Sequence, residues 1–169
     1  FHQWLDLYRM NIDAPRVSLP LLAQASDFSQ SASPPLDFPA AATGAPDFST
    51  CVRLAWTEEA LLVKWLCRDK KIENRKVMAG KRDDKVADDD SVEVIMTSGP
   101  TGETWHLAVN PQGILQDYRE SSTGVREDRW DPEWQATTET TANAWKAQMT
   151  IPFASLGEAP NPNESWQAR

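Results

Sequence analysis

The sequence predicts an all-β fold, an antiparallel β-sandwich. Three observations predict it. Apolar and polar residues alternate with period two in run after run, whereas amphipathic helical periodicity is weak. The runs are short and separated by turn signals such as Ser98-Gly99-Pro100-Thr101-Gly102 and Asn110-Pro111-Gln112-Gly113. Finally, 12 prolines and eight tryptophans in 169 residues describe a loop-rich chain around a large aromatic core.

Residues 1–15 read as an N-terminal arm or edge strand, and 16–169 as the sandwich domain. Residues 16–22 make a short strand. Residues 23–48 are rich in Ser, Ala and Pro and read as an irregular connection wrapping the core, because the prolines bar them from a central strand. Residues 50–56 and 61–69 form a hairpin across the polar link Thr57-Glu58-Glu59-Ala60. Pairing Trp56 with Leu61 places Val52, Leu54 and Trp56 on one face with Val63, Trp65 and Cys67. A slip of one residue would match Arg53 with Trp65 and Leu54 with Lys64, so the first register wins. Cys51 then falls on the opposite face from Cys67, and free thiols are expected.

Residues 70–85 read as a charged loop. Strand 91–97 turns Val92, Val94 and Met96 to one face, and strand 104–110 returns with Trp105, Leu107 and Val109 in phase. The Asn110–Gly113 turn leads into strand 114–118. Residues 134–140 and 144–151 form a further pair, with Trp145, Ala147, Met149 and Ile151 sharing a face. Residues 153–156 make one helical turn closed by Gly157.

Composition narrows the function. A chain of this length buries roughly 70% of its unfolded surface and needs no staple to fold. A net charge of −8 and a pI near 4.7 argue against nucleic acid, whose phosphates demand clustered Lys and Arg. No apolar run approaches the roughly 18 residues that span a bilayer. Two cysteines are too few for a disulfide scaffold or a Cys-built zinc site. The opening Phe1-His2-Gln3-Trp4 lacks an initiator Met and any signal-peptide pattern, so a trimmed piece of a longer protein is expected.

Four segments, in this order, resemble the family 9 carbohydrate-binding modules: VRLAWTEEALLVKWLCRD (52–69), DDSVEV (89–94), VNPQG (109–113) and WKAQMTIPFASLG (145–157). The resemblance runs from about Val17 to the C-terminus. The wider superfamily also holds haem-b DOMON cytochrome domains and the haem subunit of ethylbenzene-dehydrogenase-type enzymes. The resemblance implies a β-sandwich in a secreted or periplasmic protein, non-catalytic, and often one module of a larger enzyme. Its implied partner is a poly- or oligosaccharide, or another protein subunit.

Sugar-binding members of that family hold a terminal sugar between two indoles and fix its hydroxyls with polar groups. Burying about 100 Å² of a pyranose face yields about 2.5 kcal/mol. Micromolar affinity needs about 8 kcal/mol, so one ring cannot suffice. By the resemblance, Glu93 and Asn110 match the polar clamp. The first platform Trp and a clamp Arg are replaced by Ala87 and Ala108, and the second platform lies beyond the strand starting at Trp166. Trp130 and Trp134 are candidates for a substitute platform. The competing readings are a solvent-facing strand residue for Glu93, a turn-former for Asn110, and core-rim packing for the two indoles.

Asp88-Asp89-Asp90 is the densest acidic cluster and a candidate structural calcium site, since family members often carry calcium. Against it, three consecutive Asp in an extended chain alternate sides, and no D-x-D-x-D-G pattern surrounds them. A solvated acidic loop is the competing reading. For haem, the superfamily uses an axial Met with His or Lys. His2 and His106, with Met10, Met78, Met96 and Met149, supply the types but no evident pair, so haem is not expected. No G-x-S-x-G, H-E-x-x-H, P-loop or G-x-G-x-x-G motif is present, and an enzyme is not expected.

Family domains continue past Trp166. Residues 4–10, WLDLYRM, resemble the strand that would follow and could fill a vacant sheet edge. The expectation is therefore a non-catalytic carbohydrate-binding-like sandwich. The alternatives are a structural or protein-interaction sandwich that has lost the sugar site, or a haem-b electron carrier.

Overall fold

The computed structural model describes residues 36–39, 48–157 and 167–168. Its strands are β1 (Leu36–Pro39), β2 (Phe48–Trp56), β3 (Ala60–Asp69), β4 (Val92–Thr97) and β5 (Thr104–Val109). They continue with β6 (Leu115–Glu120), β7 (Arg126–Glu127), β8 (Gln135–Thr140), β9 (Ala144–Pro152) and β10 (Gln167–Ala168). One helical turn, α1 (Phe153–Leu156), follows β9. The strands form two five-stranded sheets, ordered β1-β2-β3-β9-β8 and β10-β4-β5-β6-β7. Every strand pairing is antiparallel, so the predicted all-β sandwich is the observed fold.

The core is the sum of the alternating faces. Val52, Val63, Trp65, Ala147, Met149 and Ile151 of the first sheet belong to one buried cluster with Val92, Val94, Met96, Trp105, Leu107 and Val109 of the second. Trp105, Leu107, Val109 and Met149 are completely buried. The β2–β3 register is the one the apolar faces require: Trp56 opposes Leu61, and Val52 opposes Trp65. Cys51 opposes Leu66 while Thr50 opposes Cys67, so the thiols sit on opposite faces and neither is in a disulfide. Burial pushes the Cys67 thiol up to about 12, which keeps it protonated and unreactive.

Three local features differ from the sequence expectation. β1 lies inside the stretch read as irregular, at the outer edge of its sheet beside β2. An edge strand needs ladder bonds on one side only, which is why Pro39 is tolerated there. The charged loop after β3 carries a 3-10 turn at Ile72–Asn74 that sends Ile72 into the core, and a second turn follows at Val86–Asp88. The stretch between residues 118 and 134, where the sequence predicts no strand, contains the two-residue strand β7. Strand 16–22, the arm at 1–15 with its 4–10 segment, and Trp166 lie outside the described residues. β10 pairs with Met96 and Thr97 of β4.

α1 exists because Phe153 and Leu156 both bury into the core, and it stops because Gly157 adopts φ +80° and donates its N–H to the Ala154 carbonyl. A Cβ at Gly157 would meet nothing within 4 Å. Gly157→Ala is therefore expected to cost only the left-handed backbone penalty, about 1 kcal/mol, in chemical denaturation. A loss several times larger would mean the turn itself rearranges.

Candidate functional site

The outer face of β4, β5 and β6 gathers the polar residues. Because Val94, Leu107 and Val109 point inward, Glu93, Ile95, His106, Ala108, Gln116, Tyr118 and Glu120 point outward. Ladder pairing sets Glu93 opposite Ala108, Ile95 opposite His106, and His106 opposite Tyr118. The His106 and Tyr118 rings stack with centroids 4.1 Å apart and an interplanar angle of 12°. From the β7 side, the Arg126 guanidinium lies 3.6 Å from the Tyr118 ring centroid. Arg126 is held there by Asp128, 2.6 Å from its Nε. Tyr118 is thus enclosed on both faces, by an imidazole and by a cation.

Glu93 Oε1 lies 2.9 Å from His106 Nδ1. A carboxylate can only accept, so Nδ1 carries the proton. His106 Nε2 is buried without a hydrogen-bond partner and lies 3.9 Å from Glu120 Oε2. Glu93 Oε2 has no protein partner among the described residues. Burial, with the Glu93 charge nearby, pushes the Tyr118 phenol up to about 12, so it remains a neutral O–H.

The other half of this face is covered by the chain itself. The loop between β3 and β4 folds back so that Ala79 and Val86 pack on Ala108, with Ile114 against them. Ala108 is only 3% exposed. The position where the resemblance expects a clamp Arg is a packing position under this loop, and a long side chain would not fit. Ala87 is exposed and donates its N–H to Gln116 Oε1 at 3.1 Å.

Asp89 and Asn110 anchor that loop. Asp89 accepts the N–H groups of Met78 (2.7 Å) and Ala79 (3.0 Å), and the amide of Asn110 (3.0 Å). Burial opposes the Asp89 charge, but the Asn110 amide and the two backbone N–H groups outweigh it and hold its pKa below the ordinary value. Asn110 is fully buried, and its Oδ1 accepts from Gln112 and Ile114 N–H, both at 3.0 Å. Its polar atoms are committed inside the protein, and it is a turn-former and loop anchor. Asp90 accepts the Lys76 N–H at 2.9 Å, and Asp88 is exposed. Among the described residues no group of three or more His, Cys, Asp or Glu could hold a metal ion. Asp89 and Asp90 are thus engaged by the N–H groups of the loop itself.

Trp134 is 4% exposed, and its Nε1 donates to Asp117 Oδ2 at 2.9 Å. Trp130 is partly buried against the same core. Trp134 is spent on packing, whereas Trp130 keeps part of its surface exposed at the rim of the core. Of the four sugar-contact candidates, Glu93 is the one on the outer face of the sheet, with its side chain 32% exposed. His106 points outward, whereas Met96 and Met149 lie in the core on the inner side of the sheets, so His106 and these methionines do not face a common pocket. Met78 is 78% exposed on the loop. His2 and Met10 lie outside the described residues.

Of the stack of His106, Tyr118 and Arg126, the sequence analysis singles out only His106, as a residue of haem-ligand type. Part of its signal was available. Counting outward from the Asn110–Gly113 turn pairs Val109 with Leu115 and therefore His106 with Tyr118. Arg126 carried no signal, because β7 is too short to show alternation.

No family model matches the chain, and no curated protein matches it. A solved structure of a Bacteroides uniformis protein, provisionally described as carbohydrate-binding, matches with a TM-score of 0.70 at 13% identity. The match covers 90% of this chain and 80% of that one. At that identity the likeness shows a shared fold. None of the described helices is long and apolar enough to cross a membrane.

Proposed function

We propose that this chain is a non-catalytic, carbohydrate-binding-like module of a secreted or periplasmic protein, taking a sugar on the outer face of β4, β5 and β6. Glu93 is the hydroxyl acceptor, oriented by His106. Tyr118 is the ring against which the sugar packs once Arg126 swings aside. The observation that carries this reading is the ordered array Glu93–His106–Tyr118–Arg126 on the outer face of the sheet, with one carboxylate oxygen left without a described partner. The sandwich shared with the Bacteroides uniformis protein and the family resemblance support it, and the resemblance supports an exported setting.

Isothermal titration against a panel of neutral and charged oligosaccharides tests it. Glu93→Gln is expected to abolish measurable binding, because an amide cannot reproduce the charge-assisted bonds of the carboxylate. Arg126→Ala uncovers the outer face of Tyr118 and removes an exposed cation–π contact of about 0.5–1 kcal/mol. It is therefore expected to tighten sugar binding about threefold. A weaker complex would instead place Arg126 in contact with the ligand.

The second reading is a structural or protein-interaction sandwich. The coverage of Ala108 by Ala79 and Val86 favours it, since the loop fills part of the sheet face that a ligand would use. Absence of binding across the whole panel would select this reading.

A further inference from the structure

Away from the outer face, one buried charge joins three parts of the chain. Asp117 lies in the inward phase of β6, opposite Leu107, and its side chain is 0% exposed. Its Oδ2 accepts from Trp134 Nε1 at 2.9 Å and from Arg82 Nη2 at 2.7 Å. The same Nη2 donates to the Pro132 carbonyl at 2.8 Å and lies 3.0 Å from Asp131 Oδ1. Arg82 therefore rivets the loop at 80–85 to the loop at 128–134, and Asp117 is the buried countercharge beneath it. The charged groups facing Asp117 are Arg82 and Asp83 from the first loop and Asp131 from the second. Asp117 Oδ1 and Arg82 Nε are both buried without a partner, so the centre is incompletely satisfied.

We propose that Asp117 and Arg82 form a proton-operated latch that frees the 129–132 segment when Asp117 takes up a proton. The proton comes from solvent and settles on Oδ1, the oxygen that lacks a partner. Arg82 then loses its buried countercharge and keeps only Asp131, which is 70% exposed and well solvated. The guanidinium, already 34% exposed, turns to water and releases the Pro132 carbonyl. The surrounding ties do not depend on the charge. Asp83 N–H still bonds the Leu115 carbonyl at 2.9 Å, Ser155 Oγ still donates to the Glu133 carbonyl at 2.6 Å, and Trp134 Nε1 still has Oδ2. Motion is therefore confined to the few residues between β7 and Glu133, beside Asp128 and the Arg126 it holds.

Burial pushes the Asp117 carboxyl up to about 6, against the Trp134 N–H and Arg82, which pull it down. A carboxyl raised in the folded state binds protons more readily folded than unfolded. Its contribution to stability is complete below the ordinary value of 3.8 and is lost as pH rises through about 6. Acidification from pH 7.5 to 5 thus loosens the loop without lowering global stability through this group. The latch does not depend on the sugar reading.

Backbone 15N relaxation of the full chain at pH 5 and pH 7.5 tests the latch. Order parameters at 129–131 are expected to fall from about 0.85 at pH 7.5 to below about 0.6 at pH 5, while β5 and β9 stay rigid at both. Asp117→Asn should show the low values at both pH values. Should that variant fail to fold, Arg82→Gln removes the rivet from its more exposed end and should give the same pH-independent result. Equal order parameters at the two pH values in the native chain overturn the proposal, as does a pH response that survives in either variant.

Discussion

Asp117→Ala is expected to lower the thermal midpoint at pH 7.5 by about 10 °C, the shift that about 3 kcal/mol produces in a domain of this size. The loss does not come from a favourable ion pair as such. It comes from what the missing carboxylate leaves behind. Trp134 Nε1, on an indole 4% exposed, would have no acceptor, and Arg82 would keep a half-buried charge with only an exposed Asp131 opposite. Removing one member of a buried pair costs more than the pair ever contributed, because the survivor is stranded. The figure sits at the lower end of the usual range because Arg82 can still reach water. Differential scanning calorimetry reads it directly. A drop of less than about 2 °C would show that water fills the vacancy and satisfies both partners.

Asn110→Ala is expected to cost about 3 kcal/mol, from several buried groups losing their partner together. Gln112 and Ile114 would lose the acceptor of their N–H groups, and Asp89 would lose the amide that offsets its burial. Asn110→Asp keeps the acceptor but places a second carboxylate against Asp89, so it should also destabilise. The diagnostic feature is the separation of stability from binding. If Asn110 anchors the loop, the folded fraction of either variant should titrate with sugar as the native chain does. A selective loss of affinity with unchanged stability would return Asn110 to the sugar clamp.

Much of this protein was legible before any coordinates. The β2–β3 register followed from keeping Arg53 and Lys64 off the apolar face, and the helical turn at Phe153 followed from its closing glycine. β4, β5, β8 and β9 fell within a residue of their predicted bounds, because their alternation is clean. β1 was not legible, since Leu36–Pro39 is short, edge-bound and proline-terminated. Nor was β7, which has two residues. For the candidate site, Glu93 was placed on the solvent side correctly, but its partner was not foreseen. Asn110 and Trp134 belong to the interior, for a reason no strand pattern contains: each donates to a buried carboxylate brought from elsewhere, Asp89 for one and Asp117 for the other.

The division has one physical cause. The direction of a side chain on a pleated strand is a local property, repeated every second residue, so the amino-acid order by itself determined that the fold is a two-layer sandwich and which residues line its core. Which polar groups meet is a property of distant segments. The loop carrying Ala79, Arg82, Val86 and Asp89 could lie over many surfaces at little difference in local energy. Only the assembled sandwich, with Ala108 flat enough to receive it and Asp117 and Asn110 buried to anchor it, decided where it rests and so what remains of the outer face for a ligand.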